Sequence, residues 1–391
     1  MGAPAGTVLV VMPSVPAVPG TDSIFMDIKM VEGLVRYAAL WDGPVRCLLR
    51  AGQGGEIGYG QSYAPGSLPF EVAIIAPDAH DVGPWLADAA VVLAAGDNHQ
   101  DFGVVEHSAA PVVYIIEYTL ATRLRIIALD RGKSLRALKS ALWTLNSERL
   151  RRRAFAASAG LQANGQPAFD AYRSRVPATL RYFDSRMSDA QQIEPAALAE
   201  KQAQGRAGRP LRLAFSGRLE RMKGADHLVP VAAELRRRGV AFEFDIYGTG
   251  TLHAPMREAI DAAGLGDVVR LRGAVPFDAE LVPELKRRID LFVCCHRQDD
   301  PSCTYLETLS CGVPIVGYDN GAFAGVLALG PAGIATPMDD VAAIAAAIAR
   351  LDADRETLAT MAAAAAAIGR EHSFDRTFAS RIAHLRAVAG R

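Results

Sequence analysis

The stretch Asp299-Asp300-Pro301-Ser302-Cys303-Thr304-Tyr305-Leu306-Glu307-Thr308-Leu309-Ser310-Cys311-Gly312-Val313-Pro314-Ile315-Val316 reads as an acidic loop, a short helix and a buried strand. An acid and a proline open the helix. Gly312 stands where a left-handed terminator is wanted, and Pro314 follows it. An apolar run at 289–295 precedes the loop, so the order is strand, loop, helix, strand. That is the repeating unit of a parallel sheet covered by helices on both faces.

The unit recurs on either side. Strands are expected near 211–216, 242–247, 268–271, 289–295 and 314–316, alternating with helices near 225–238, 251–263, 278–288 and 303–311. The first half shows the same alternation, with strands near 7–12, 45–50, 71–76, 90–95 and 112–117 and an amphipathic helix from Asp22 to Leu40. A chain of 391 residues exceeds what one core supports. The fold class expected is therefore α/β, with two doubly wound, Rossmann-like domains facing a central cleft. The first spans 1–204 and the second 205–391, with Gln202 to Pro210 as linker because Gly205, Gly208 and Pro210 lie among polar residues. Ala-rich helices run from Val341 to Arg391, and the last, 373–391, is free to pack back on the first domain. Ligands of such domains sit at the carboxyl ends of the strands, and neither half carries GxGxxG.

Composition narrows the function class. Half the residues are apolar and 22% charged, which excludes disorder, while 42 Lys and Arg against 43 Asp and Glu argue against a dedicated nucleic-acid binder. Cys47, Cys294, Cys295, Cys303 and Cys311 are an odd set without disulfide spacing, and His296 beside the adjacent pair completes no metal site. Val8 to Val11 lead straight into Pro13, Pro16 and Pro19, which reads as a strand and a loop rather than a cleaved leader. The Ala-rich runs 341–349 and 361–368 are too short to span a bilayer. The expected location is the cytoplasm.

The chemistry gathers in the second half. Backbone N–H groups of Ser302, Cys303 and Thr304 at a helix start suit a phosphate. Glu307, one turn on, can look toward a ribose, and Asp299 can accept hydrogen bonds from sugar hydroxyls; taken alone, the acids could equally be cap and solvated face. Ser216-Gly217-Arg218-Leu219-Glu220-Arg221-Met222-Lys223-Gly224 puts two cations, Arg218 and Lys223, on the loop after the first strand of this half, where they can neutralise a diphosphate. Tyr247-Gly248-Thr249-Gly250 ends the next strand with two glycines that allow close backbone approach, and Gly273-Ala274-Val275-Pro276 ends another.

In this order and spacing, Gly-Arg…Lys-Gly, Tyr-Gly-x-Gly, Gly-x-Val and acid-x7-Glu leading into Cys-Gly-Val-Pro-Ile-Val, the chain resembles the retaining nucleotide-sugar glycosyltransferases of family 4, which have the GT-B fold. The resemblance covers 205–330 most strongly. It implies that Gly217, Arg218, Lys223, Gly248, Gly250, Gly273, Val275, Asp299, Ser302, Cys303, Thr304 and Glu307 bind the donor, with Arg218 and Lys223 on its diphosphate, Glu307 on the ribose, and Gly273 and Val275 beside the base. Asp299 stands where the family usually has Glu. The family's diphosphate-closing loop corresponds to Pro13–Asp22, where only Gly20 matches, and a catalytic polar residue past the fourth strand corresponds to Asp97 or His99 in Gly96-Asp97-Asn98-His99. The resemblance further implies hexosyl transfer from a UDP- or GDP-sugar to a hydroxyl of a glycan, glycolipid or lipid-linked acceptor, without metal or cofactor. A sugar-nucleotide epimerase or phosphorylase, and a non-catalytic nucleotide-sugar binder, are the alternatives.

One feature stands apart. From Arg123 to Arg153 basic residues dominate, with Leu135, Leu138, Leu142, Trp143 and Leu145 among them. A basic amphipathic helix suits an anionic membrane surface, which would make the chain peripheral at the inner face, or a polyanionic acceptor; a core-facing helix with a solvated basic side is the alternative.

Overall fold

A computed structural model describes residues 7–132 and 134–390. In the first half lie β1 (Val8–Met12), β2 (Val18–Pro19), β3 (Ile24–Asp27), β4 (Val45–Arg50), β5 (Gly60–Tyr63), β6 (Glu71–Ile75), β7 (Ala89–Ala95), β8 (Val112–Ile116), β9 (Gly160–Asn164) and β10 (Thr179–Tyr182). The second half holds β11 (Leu211–Ser216), β12 (Phe242–Tyr247), β13 (Val269–Gly273), β14 (Leu291–Cys294), β15 (Ile315–Tyr318) and β16 (Gly333–Thr336).

Seven strands form one parallel sheet in the order β10-β9-β8-β7-β1-β4-β6, and six form a second in the order β13-β12-β11-β14-β15-β16. Both orders reverse direction at their first strand, so each sheet has a switch point, between β1 and β7 in one and between β11 and β14 in the other. Loops leaving the carboxyl ends diverge there and open a crevice. Every residue of Val8–Met12, Ala89–Ala95 and Leu291–Cys294 is buried, the signature of strands covered on both faces.

The expected strands fall within a few residues of the observed ones, but β9, β10 and β16 were not legible. In β9 the cause is polar: Gln162 is fully buried, donating from Nε2 to the Arg381 carbonyl at 3.0 Å and accepting from Arg381 Nε at 2.8 Å. A buried glutamine is tolerated only with such partners. Arg381 lies on the last helix, Phe374–Val388, whose Phe378, Ile382 and Leu385 pack into the core of the first sheet with Leu34 and Tyr37.

Two expectations about the connections need correction. Gln202–Arg206 is not linker but the end of a helix, Pro195–Arg206, which packs on the helices Val282–Arg287 and Arg355–Glu371 of the second half. Lys201 anchors it, donating to the Cys311 carbonyl at 2.9 Å. A division at 204/205 cuts this helix, and we place the division before Pro195. Second, the first helix does not begin at Asp22. Residues 18–27 form β2 and β3, which join β5 in a small antiparallel sheet, and the first helix starts only at Ile28, capped by the Asp27 carboxylate on the Met30 N–H at 2.8 Å. Gly20 closes the β2–β3 turn, donating to the Ser23 carbonyl at 2.8 Å. All five cysteines are free thiols.

Candidate active site

Lys223 ends a single 3-10 turn, Arg221–Lys223, after β11. The turn reverses at Gly224, whose φ is 64°. A Cβ there would stand 1.9 Å from the Cys295 carbonyl oxygen, so only glycine lets this turn lie against the end of β14. The consequence is local: Lys223 Nζ reaches Asp300 Oδ2 at 2.7 Å, with the two side chains only 9% and 11% exposed. Burial pushes the Asp300 carboxyl up, but Lys223 outweighs it and holds the group below its ordinary range. Among the described residues, Asp300 Oδ1 and both ring nitrogens of buried His296 find no hydrogen-bond partner. Burial and Lys223 hold His296 neutral, with its pKa depressed to about 3.

Asp299 points elsewhere. Its Oδ1 accepts the Gly321 N–H at 2.6 Å and its Oδ2 meets Arg125 Nη1 of the first half at 2.9 Å. The acid beside Lys223 is Asp300, which the sequence did not single out as a site residue. Arg218 is exposed, with its guanidinium 3.7 Å from the Met222 sulfur. Gly217, Gly248 and Gly250 serve one another's loops: a Cβ on Gly248 would meet the Gly217 carbonyl at 1.9 Å, and one on Gly250 the Leu219 carbonyl at 2.5 Å. These glycines thus let the β12 loop press against the Arg218 loop, a reason that needs no ligand. Gly273 has a φ of 72° and open space beside it, whereas Val275 packs on the core of the second sheet.

Among the described residues, none caps the helix Thr304–Ser310 with its side chain. Of the three amides expected to receive phosphate, that of Ser302 is already engaged with the Asp300 carbonyl at 2.8 Å. Cys303 faces the first half, where its sulfur lies 2.8 Å from Lys29 Nζ, and Lys29 also pairs with Asp184 at 2.6 Å. Glu307 joins this group. Burial raises its carboxyl to about 7 against the opposing pull of Lys29 and Arg186.

Sequence reasoning offered Asp97 or His99 for the first half, and the structure separates them. Asp97 accepts the backbone N–H groups of Glu117 at 2.8 Å and Tyr118 at 3.3 Å and pairs with Arg123 at 2.6 Å. Its carboxylate holds the loop after β8. His99 is exposed and sets its ring edge against Trp143, with centroids 5.2 Å apart. The acid next to Asp97 is Glu117, just past the carboxyl end of β8, whose backbone N–H donates to Asp97. Burial first, then the charges of Asp97 and Asp184, raise its carboxyl to about 7, while Lys29 and an Asn164 hydrogen bond of 3.3 Å partly offset them. Glu117, Lys29, Asp184 and Asp300 were all missed. The signal for Glu117 was present, since it is an acid ending an apolar strand, whereas Asp97 was reached through the resemblance.

Residues 198–367 match the family described as Glycosyl transferases group 1. The 2-deoxystreptamine N-acetyl-D-glucosaminyltransferase of Streptomyces fradiae is 32% identical over 189 residues, 47% of this chain and 44% of that protein. The alpha-D-kanosaminyltransferase of Streptomyces kanamyceticus is 31% identical over 158 residues, 40% of each chain. The chain thus spans under half the length of these curated relatives. Among solved structures, Anabaena Alr3699/HepE in complex with UDP superposes with a TM-score of 0.65 at 17% identity, covering 96% of this chain and 98% of that one. At that identity the likeness establishes the fold, two Rossmann-like domains in the GT-B arrangement.

Proposed function

We propose that this chain is a glycosyltransferase that moves a sugar from a nucleoside diphosphate sugar to an acceptor hydroxyl with retention of anomeric configuration and without a metal ion. The observation that carries this reading is the placement of Lys223, held by Asp300 at 2.7 Å beside exposed Arg218, at the carboxyl end of β11 next to the switch point of the second sheet. The stretch lies inside the glycosyl transferases group 1 match. Cations there stabilise negative charge that grows on a departing diphosphate, the role a divalent ion fills in other designs.

The two names among the relatives are of sugar transferases, and the complex of Alr3699/HepE holds UDP, which favours a UDP-sugar over a GDP-sugar as donor. Glu307 would bind the ribose and Glu117 would face the acceptor. The anomeric C–O bond to the diphosphate breaks, the bond to the acceptor oxygen forms on the face that the diphosphate leaves, as retention requires, and a carboxyl titrating near neutrality is suited to take the hydroxyl proton. The test is nucleotide release from a panel of UDP- and GDP-sugars, each alone and with aminocyclitol, inositol phosphate and glycan acceptors. Acceptor-dependent release of UDP supports the reading. Donor binding without turnover on any acceptor would favour a non-catalytic binder.

A further inference from the structure

Of the ten large apolar side chains exposed among the described residues, seven lie between Leu129 and Leu150. They belong to two helices, Leu120–Arg131 and Leu135–Ala157, that pack on each other as a hairpin. Leu135 is 86% exposed, Leu138 58%, Leu142 59% and Trp143 52%. Positions 135, 138, 142 and 145 share one helical face. The buried face of the same helix carries Thr144, Ser147, Glu148 and Arg151, so the usual amphipathic order is inverted: polar residues face the protein and leucines face out. Leu135 and Leu138 also line an open groove of about 620 Å³ with Leu124 and Ile127 of the other helix.

Charge says what this face fits. Arg136, Lys139, Arg149 and Arg153 are exposed around the leucines, and no acid occurs from 131 to 147. Glu148, the next one, is buried and paired with Arg151 at 3.0 Å and Arg152 at 2.7 Å. These two arginines are therefore part of the fold, not of the basic surface. Lys133 lies outside the described residues. A second copy of the chain would bring these cations against themselves, whereas a bilayer with anionic headgroups offers apolar depth and negative charge together.

We propose that the hairpin 120–157 docks this protein on an anionic lipid surface, with Leu135, Leu138 and Leu142 at the acyl boundary and Arg136, Lys139, Arg149 and Arg153 on the headgroups. The preceding turns of the hairpin carry Arg123 and Arg125, which hold Asp97 and Asp299, so docking sets the mouth of the cleft against the membrane. No helix among the described residues is long and apolar enough to cross a membrane. Docking does not depend on the proposed transfer reaction, and its test uses no substrate.

The full-length chain is sedimented with phosphatidylcholine vesicles and with vesicles of equal phosphatidylcholine and phosphatidylglycerol, at low and high salt. Binding to the anionic vesicles alone, weakened by salt, is expected. Lys139→Ser, Arg149→Ser and Arg153→Ser combined should lower partitioning roughly 100-fold, about fivefold per cation. Leu138→Ser with Leu142→Ser should abolish binding while circular dichroism and Tm stay unchanged, since both side chains are exposed. Equal binding to the two vesicle types, or binding to neither, overturns the proposal. So does a dimer in solution that the leucine variant dissolves, because a second copy would then be what covers this face.

Discussion

Lys223 and Asp300 form a nearly dry ion pair at 2.7 Å, while the adjacent Asp299 turns the opposite way to bridge to Arg125 across the cleft. Two neighbouring acids thus serve two different purposes: one fixes the cation proposed to meet the diphosphate, the other ties the halves together.

Truncating Lys223 removes a charge that matters most when the leaving group is most negative, so Lys223→Ala should reduce kcat more than it raises KM for donor. The same change strands a buried carboxylate, a cost of about 3–5 kcal/mol. Lys223→Ala combined with Asp300→Ala removes that stranded charge. Its unfolding free energy should recover relative to the single variant while kcat does not.

Glu117 and Glu307 both have carboxyls raised from an ordinary value of 4.5 to about 7. A carboxyl raised on folding stabilises the native state below the unfolded pKa, and that contribution is lost as pH climbs through the folded value. Tm should therefore fall between pH 4.5 and about pH 7 by more than it does in Glu117→Gln or Glu307→Gln. Equal pH slopes for parent and variants would show that neither group is perturbed.

Well above its raised pKa of about 7, where the carboxyl is charged, Glu307→Gln should also weaken UDP binding by roughly 1.5–3 kcal/mol, the range for a hydrogen bond to a charged group. Titration calorimetry reads this directly. Glu117→Gln should leave UDP affinity alone and remove the rise of kcat/KM centred near pH 7.

Asp97 and His99 should behave as their surroundings dictate. Asp97→Ala frees two backbone N–H groups and Arg123, and chemical denaturation should show a loss of about 1–3 kcal/mol. His99→Ala, an exposed position, should change stability by no more than ~0.5 kcal/mol and leave turnover intact.

The sequence carried the sheets far better than the cleft. Strands such as Val8–Met12 and Leu291–Cys294 are continuous apolar runs because both faces are covered, and that pattern is readable without coordinates. β9 was not, because Gln162 is satisfied by Arg381, a partner 219 residues away. The same distance in sequence hid the cleft: Lys29, Asp184 and Cys303 meet only once the two halves are assembled. Motif spacing brought attention to 299–307, yet which of Asp299 and Asp300 faces Lys223 is set by the course of the loop, which no spacing encodes. Gly224 is the converse case, legible as a helix-entry glycine and required because a side chain there would strike Cys295.

Whether Lys223 meets a nucleoside diphosphate is read by calorimetric titration of UDP and UMP into the parent chain and Lys223→Ala. The parent should bind UDP more tightly than UMP, and the variant should lose this preference while keeping its affinity for UMP. A folded variant that binds UDP as tightly as the parent would contradict that contact.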